Sequence, residues 1–425
     1  MRIHWVLFVT VIVLIACTKK NKTEVTPWGT TIDVENNGVY EIDSVQQSKN
    51  SHLSLHDLQQ AGEMIMLTLS GPDTYYEYHG KSMGVHFLLC EKLAEKLGVT
   101  LRVDVCRDTL DMLERLKNGE GDIIAFPVNN KNISSFIPCG VKGEKLQKGS
   151  LEKTKTSWLV AKDNKDLANA VNAWYKPEMY AETKKRETYL LTSGGVTRHV
   201  YPFMLSAKEG TISRYDVLFK KHAPTAGIDW SLLAAQCYQE SCFDPQAHSW
   251  AGACGLMQIL PSTADHLLLP RQKLYEPEAN IAAATRYLRE LQGLFADVDN
   301  PQERLKFALA AYNGGYYHVR DAMSLTKKNG GVWQRWSDVR HYILALSQPQ
   351  YYRDPVVKNG YMRGSETANY VDMIMQRWSQ YRHALRTGGK IVSAVKASNT
   401  STSPMSTEMG IPHRRTAKQN KWRKE

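Results

Sequence analysis

Seven cysteines are spread over 425 residues, and no two of them stand in Cys-x-x-Cys spacing. That absence removes the usual ligand pattern of a zinc module or a thioredoxin-type redox centre. No metal is expected, and nothing else in the chain asks for a cofactor. The N-terminus also lacks an apolar run of bilayer length. Residues 5–16 form a run of twelve, and a spanning helix needs about 20. Residues 387–425 lack apolar periodicity and are rich in Ser, Thr and Lys, the composition of a disordered tail. Acidic residues are in deficit: 54 Lys and Arg stand against 43 Asp and Glu, a net charge of +11. Of that, +6 lies in residues 387–425, with eight basic residues and two Glu. A basic balance suits anionic polymers and lipid headgroups and says little about fold.

The short apolar run follows Arg2 and ends in Leu14-Ile15-Ala16-Cys17. This resembles the lipobox of a lipoprotein signal peptide, residues 1–17. The resemblance implies acylation of Cys17, cleavage before it and acylation of the new amine. Two or more acyl chains anchor stably. Residues 18–60 then form a polar tether. Thr18 is not an aspartate, so an outer-membrane lipoprotein facing the periplasm is expected. Nucleic acid is a poor partner for such a chain. Six cysteines remain, and their connectivity is open. Cys242 and Cys254 flank one loop, where a bridge and free buried thiols are both possible.

The length exceeds one ordinary domain and allows two buried cores. Residues 61–205 read as one of them. Residues 63–69 form a strand and 75–80 a loop. Residues 85–98 form an amphipathic helix closed by glycine, 101–105 a strand, 108–117 a helix and 121–125 a strand. That alternation predicts a parallel α/β layer.

The remainder centres on one acid. Asp229 can cap a helix over 230–240, with Glu240 near its end, where the helix dipole gives a carboxylate no help. Apolar surroundings would raise its pKa toward that of a general acid at neutral pH. Fifteen residues after Glu240-Ser241 stand Gly255-Leu256-Met257-Gln258, a tight loop entering a helix at Pro261. Its glycines allow close backbone approach, and Gln258 offers a donor and an acceptor to sugar hydroxyls. Further on, Tyr312-Asn313-Gly314-Gly315 is expected to end a helix over 303–311 in left-handed conformations.

With Ser249, Asn280-Ile281 and Glu366-Thr367 followed by Tyr370-Val371, these motifs resemble the soluble-lytic-transglycosylase-like domain, a goose-lysozyme-type fold. The resemblance covers residues 206–384. It implies cleavage of peptidoglycan glycan strands between N-acetylmuramic acid and N-acetylglucosamine, leaving a 1,6-anhydromuramoyl end with no water consumed. Glu240 would be acid and then base. Ser241, Ser249, Gly255, Met257, Gln258, Tyr312, Asn313, Glu366 and Tyr370 would form the substrate site, with Ser249 and Gln258 orienting the N-acetylated sugars. Hydrolysis on the same fold would need a second carboxyl group, for which Asp244 and Asp265 are candidates. A cell-wall-binding lipoprotein without activity is the other alternative.

Residues 61–205 resemble the first lobe of amino-acid-type periplasmic solute-binding proteins. Leu67-Thr68 with Tyr75-Tyr76, Leu97-Gly98-Val99 and Gly119-Glu120-Gly121-Asp122 carry the likeness. The combination resembles the membrane-bound lytic murein transglycosylase F family. The expected fold class is therefore an α/β solute-binding-like lobe plus a mainly α goose-lysozyme-like catalytic domain, followed by a basic tail at 385–425. Only residues 128–156 stand where a second lobe would be, so that lobe is expected to be reduced. A residual effector site would use Tyr75, Tyr76 and Lys131. All the motif residues of cleavage lie in the second domain, which is expected to carry the activity alone.

Overall fold

The computed structural model describes residues 52–129, 133–146, 153–192 and 195–387, with the backbone of a short antiparallel ribbon, β1 (Thr23–Val25) on β2 (Thr31–Asp33). Cys17, Lys131 and the tail from residue 388 lie outside the described residues.

Ser54 and Asp57 form a capping box that starts α1 (Leu55–Ala61), and Gly62 at φ 72° closes it. The chain enters β3 (Glu63–Thr68) and then a hairpin of β4 (Tyr76–Tyr78) and β5 (Lys81–Met83). His79 and Gly80 sit at its turn with φ of 47° and 68°, the positive values that a two-residue hairpin turn demands. The loop expected over 75–80 is therefore a paired element. Next come α2 (Val85–Leu97), closed by Gly98, β6 (Thr100–Val105), and α3 (Thr109–Lys117), capped by Asp108. The lobe ends in β7 (Ile123–Asn129), β8 (Phe136–Leu146), β9 (Lys153–Ala161), α4 (Lys165–Trp174) and α5 (Pro177–Leu190).

The sheet order is β6-β3-β7-β9-β8, with β3 parallel to β6 and β7. Alternate residues of β3 face opposite layers. Met64 and Met66 pack with Leu89, Leu93 and Trp158, and Leu67 packs with Met112, Leu116 and Ile124. Where a two-lobed solute receptor would cross into its second lobe, β8 and β9 return as an antiparallel hairpin beside β7. The sheet is thus completed inside one lobe.

The rest is mainly helical. β10 (Val196–Thr197) precedes α6 (Asp216–His222) and α7 (Trp230–Ser241), and pairs with β11 (His248–Ser249). Then follow α8 (Pro261–His266), α9 (Pro277–Leu294), α10 (Pro301–Gly314), α11 (Tyr316–Lys328), α12 (Trp336–Ala345), α13 (Pro349–Tyr352) and α14 (Gly364–Thr387). Leu233, Ala234, Phe307, Ile374 and Tyr381 are among its core residues. That core also takes in Tyr76 and Met83 from the β4–β5 hairpin. The Tyr361 amide donates to Ser70 Oγ at 2.8 Å, and the rings of Tyr76 and Tyr361 stand 5.1 Å apart, edge to face. The hairpin thus belongs to the α/β chain segment but packs with the helices.

Candidate active site

Asp229 Oδ1 accepts from the Ser231 amide at 2.8 Å and starts α7 as expected. Glu240 is its penultimate residue. Directly after the helix, Cys242 and Phe243 both hold positive φ, a costly conformation for non-glycine residues. Asp244 secures the turn, accepting from the His199 and Gln246 amides at 2.6 and 3.0 Å.

Burial raises the Glu240 carboxyl to about 7, against the opposing pull of the Tyr370 hydrogen bond, His79 and Arg198. Tyr370 Oη donates to Glu240 Oε1 at 2.5 Å. Burial, and then the charge of Glu240, push the Tyr370 phenol up, so it stays a donor at neutral pH. Burial alone would raise Glu366 too. The His79 ring and the Tyr78 hydroxyl, at 3.3 and 2.9 Å, hold it lower instead. Two acids in one cleft are thus pushed apart, Glu240 toward neutrality and Glu366 toward ionisation.

The loop over residues 249–260 supplies Ser249, Trp250 and Gln258 to the same cleft. Ser249 Oγ accepts from the Ala253 amide at 2.9 Å. Asn280, buried on α9, ties the loop down. Its Oδ1 accepts from the Met257 amide at 2.8 Å, and its Nδ2 donates to the carbonyls of Cys254 and Leu274 at 3.0 and 2.7 Å. The Met257 carbonyl accepts from Tyr312 Oη at 2.8 Å. Thr367 Oγ1 donates to Asn313 Oδ1 at 2.7 Å.

These elements line a cleft of about 1420 Å³. Among the sequence-derived site residues, Glu240, Ser249, Gln258, Tyr312, Asn313, Glu366 and Tyr370 lie on it. Ser241, Gly255 and Met257 do not. Ser241 is fully buried, and its Oγ donates to the Leu256 carbonyl at 2.7 Å, joining α7 to the loop. Gly255, at φ 78°, leaves no room for a side chain against Asn280. The Met257 side chain is buried. Gln258 spends its amide nitrogen inside the loop, on the Ala247 and Gly255 carbonyls, so its oxygen is the part left for a ligand. The helix expected to end before Tyr312 runs through Gly314, and within that motif only Gly315 has positive φ.

Tyr78, His79, Trp250, Arg198 and Gln236 are additions to the residues read from sequence. Tyr78 stacks on Trp250, with ring centroids 6.0 Å apart and planes 2° from parallel. Arg198 Nη1 donates to the Glu240 carbonyl at 3.0 Å. Tyr78 and His79 come from the α/β lobe, so the cleft is not confined to residues 206–384. Gln236 is a polar residue on the buried face of α7, one turn before the acid, and that is a signal the sequence did carry. The two rival second carboxyls are engaged elsewhere: Asp244 in its turn, and exposed Asp265 with Arg271 at 2.6 Å. Cys242 and Cys254 are free and buried.

Residues 217–332 match the family described as Transglycosylase SLT domain. The membrane-bound lytic murein transglycosylase F of Desulfosudis oleivorans is 28% identical over 421 residues, covering 77% of this chain and 91% of that protein. The protein of the same name from Yersinia pestis is 37% identical over 221 residues, 51% of this chain and 44% of its own. Among solved structures, the 70 kDa soluble lytic transglycosylase of Escherichia coli aligns at 24% identity with a TM-score of 0.29, over 48% of this chain and 27% of that one.

Proposed function

We propose, from the premise that this chain is a membrane-bound lytic murein transglycosylase F-like protein, that Glu240 drives non-hydrolytic cleavage of peptidoglycan. Glu240 protonates the oxygen between N-acetylmuramic acid and N-acetylglucosamine as its bond to C1 breaks. The C6 hydroxyl oxygen of the same muramoyl residue closes on C1, and its proton passes to the Glu240 carboxylate. The products are a 1,6-anhydromuramoyl end and a free hydroxyl on the departing sugar. Glu240 returns to its starting state, and no water is consumed.

One observation carries this reading. An acid poised at about 7 by burial is hydrogen-bonded to Tyr370, in a cleft where its neighbouring carboxyl Glu366 is engaged by Tyr78 and His79. Asp244 and Asp265 serve turn and surface bonds, and Glu366 is held by Tyr78 and His79. Each of these three carboxyls has protein partners, whereas an inverting hydrolase requires one placed to activate a water. Tyr370 stabilises the carboxylate once the proton has left. Ser249, Gln258, Tyr312 and Asn313 face the sugars.

Mass spectrometry of purified peptidoglycan digested by the protein is the test. Anhydro-terminated muropeptides are expected. Reducing ends would replace this mechanism by hydrolysis, and unaltered glycan would leave a wall-binding protein.

The α/β lobe is proposed as one wall of the same cleft rather than as half of a solute receptor. The β8–β9 hairpin that completes the sheet beside β7, and the contacts of Tyr78 with Trp250 and Glu366, support this.

The relatives are named as membrane-bound. For this chain a lipid anchor at Cys17 and an outer-membrane position facing the periplasm are proposed, supported by Leu14-Ile15-Ala16-Cys17 and the polar tether. Cys17→Ser is expected to abolish incorporation of a fatty-acid probe and to leave an uncleaved precursor. Label retained on that variant would remove the anchor assignment.

A further inference from the structure

We propose that Gln236 is a positioning residue of this site: its amide holds the Tyr370 phenol so that the phenol's one hydrogen points at Glu240. The proposal rests on the reading of Glu240 as the acid. Gln236 lies one turn before Glu240 on α7 and is fully buried. Its Nε2 donates to Tyr370 Oη at 3.1 Å, and Tyr370 Oη is 2.5 Å from Glu240 Oε1. Among the described residues these are the two partners of that oxygen. A phenol has a single hydrogen to give. With an N–H already aimed at it, the oxygen accepts from Gln236, and its hydrogen is directed to the carboxylate. The chain of donors runs one way, from amide to phenol to acid.

The choice of an amide here is expensive. Gln236 Oε1 is buried with no partner among the described residues. A buried polar atom left unpaired is destabilising and uncommon. Leu232, Leu233, Ala234, Ala235 and Cys237 are among the neighbouring buried positions of α7, and a methionine or leucine at 236 would join them with no orphaned atom. The bond to Tyr370 is what the amide contributes in return.

The bond acts on the acid's proton affinity. Tyr370 favours the ionised form of Glu240, against burial, which favours the neutral one. Tyr370 and Glu366 face the acid from α14, Tyr312 from α10, Cys237 from its own helix, Arg198 from the segment after β10 and His79 from the β4–β5 turn. Loosening the phenol removes a contact that lowers the Glu240 pKa. The sign is therefore upward, and the acid keeps its proton to higher pH.

Gln236→Met keeps the side-chain size and removes the donor. NMR of isotopically labelled glutamate in the full chain should show Glu240 titrating about one pH unit higher than in the wild type. The alkaline limb of kcat/KM should move up with it, and kcat should fall about tenfold with KM little changed. Tyr370→Phe should raise the Glu240 titration likewise, and the double variant should add nothing to Tyr370→Phe alone, because Gln236 acts through the phenol. A folded Gln236→Met protein whose Glu240 titrates at the wild-type pH would overturn the proposal, as would full additivity in the double variant. If Gln236→Met does not fold, Gln236→Leu decides. It also lacks a donor for the phenol and adds no charge beside Glu240, so the same upward shift is expected, and an unmoved titration counts against the idea. The titration is read without turnover. A failure of Glu240 as the catalytic acid would show separately, as activity surviving Glu240→Gln.

Discussion

Glu240→Gln is expected to end release of anhydro-muropeptides while leaving glycan binding and the fold nearly intact. The amide keeps the size of the carboxyl, and its oxygen can still accept from Tyr370, so the geometry at 2.5 Å has no reason to collapse. Only the transferable proton is removed. General acid catalysis contributes about 10²–10⁴-fold, and here one group serves both as acid and as base, so the loss should reach at least that range. A stability signature should accompany it. The folded-state pKa of Glu240 is raised to about 7 from an ordinary 4.5. Burial thus penalises the charged form, a cost absent below the unfolded pKa and growing as pH rises toward the folded one. Glutamine never carries that cost. The variant should therefore gain in melting temperature relative to the wild type between about pH 4.5 and 7. A variant that cleaved peptidoglycan at half the wild-type rate would remove Glu240 from the mechanism. A melting difference that narrowed with rising pH would contradict the burial argument.

Asn280→Ala is expected to be the most damaging change away from the acid. Its side chain satisfies the Met257 amide and the Cys254 and Leu274 carbonyls in a buried position. Truncation orphans the Met257 amide and the Leu274 carbonyl, each worth about 1–3 kcal/mol when left unpaired, and takes one of two partners from the Cys254 carbonyl, which keeps the Ile259 amide. A loss of about 2 kcal/mol or more follows, or about 4–8 °C or more in melting temperature for a domain of this size. Activity should fall as well, because the Met257 carbonyl positions Tyr312 and the same loop carries Gln258. Asn280→Asp should do no better. It keeps the acceptor for Met257 but sets a carboxylate against two carbonyl oxygens. Thermal melts of the two variants check this, and a shift under 2 °C for Asn280→Ala would show that the loop is held by other means.

Much of the candidate site was legible in the sequence. Asp229 as a cap, Glu240 at the helix end, the glycine-rich loop and Tyr370 are local or motif-spaced signals. Helix capping and apolar periodicity act within a few residues. Gly98 and Asp108 punctuate the α/β lobe for the same reason. Ser241, Gly255 and Met257 were legible as important positions but not as buried ones. A motif says that a residue type is needed at a spacing, not whether its side chain meets ligand or backbone.

The alternation of strand and helix over residues 85–125, the acid and its loop were determined by the sequence alone, because each rests on contacts between near neighbours or on a spacing repeated along the chain. The composition of the cleft was decided only by the tertiary structure. Tyr78 and Glu366 are 288 residues apart, and Gln236 and Tyr370 are 134 apart. Residues 75–80 carry no alternation strong enough to announce a hairpin. Its place against Trp250 and Tyr361 depends on which apolar surfaces of two domains meet. Hydrophobic burial is non-directional, so a local pattern states that Tyr76 and Met83 will be covered and leaves the covering surface to the assembled fold.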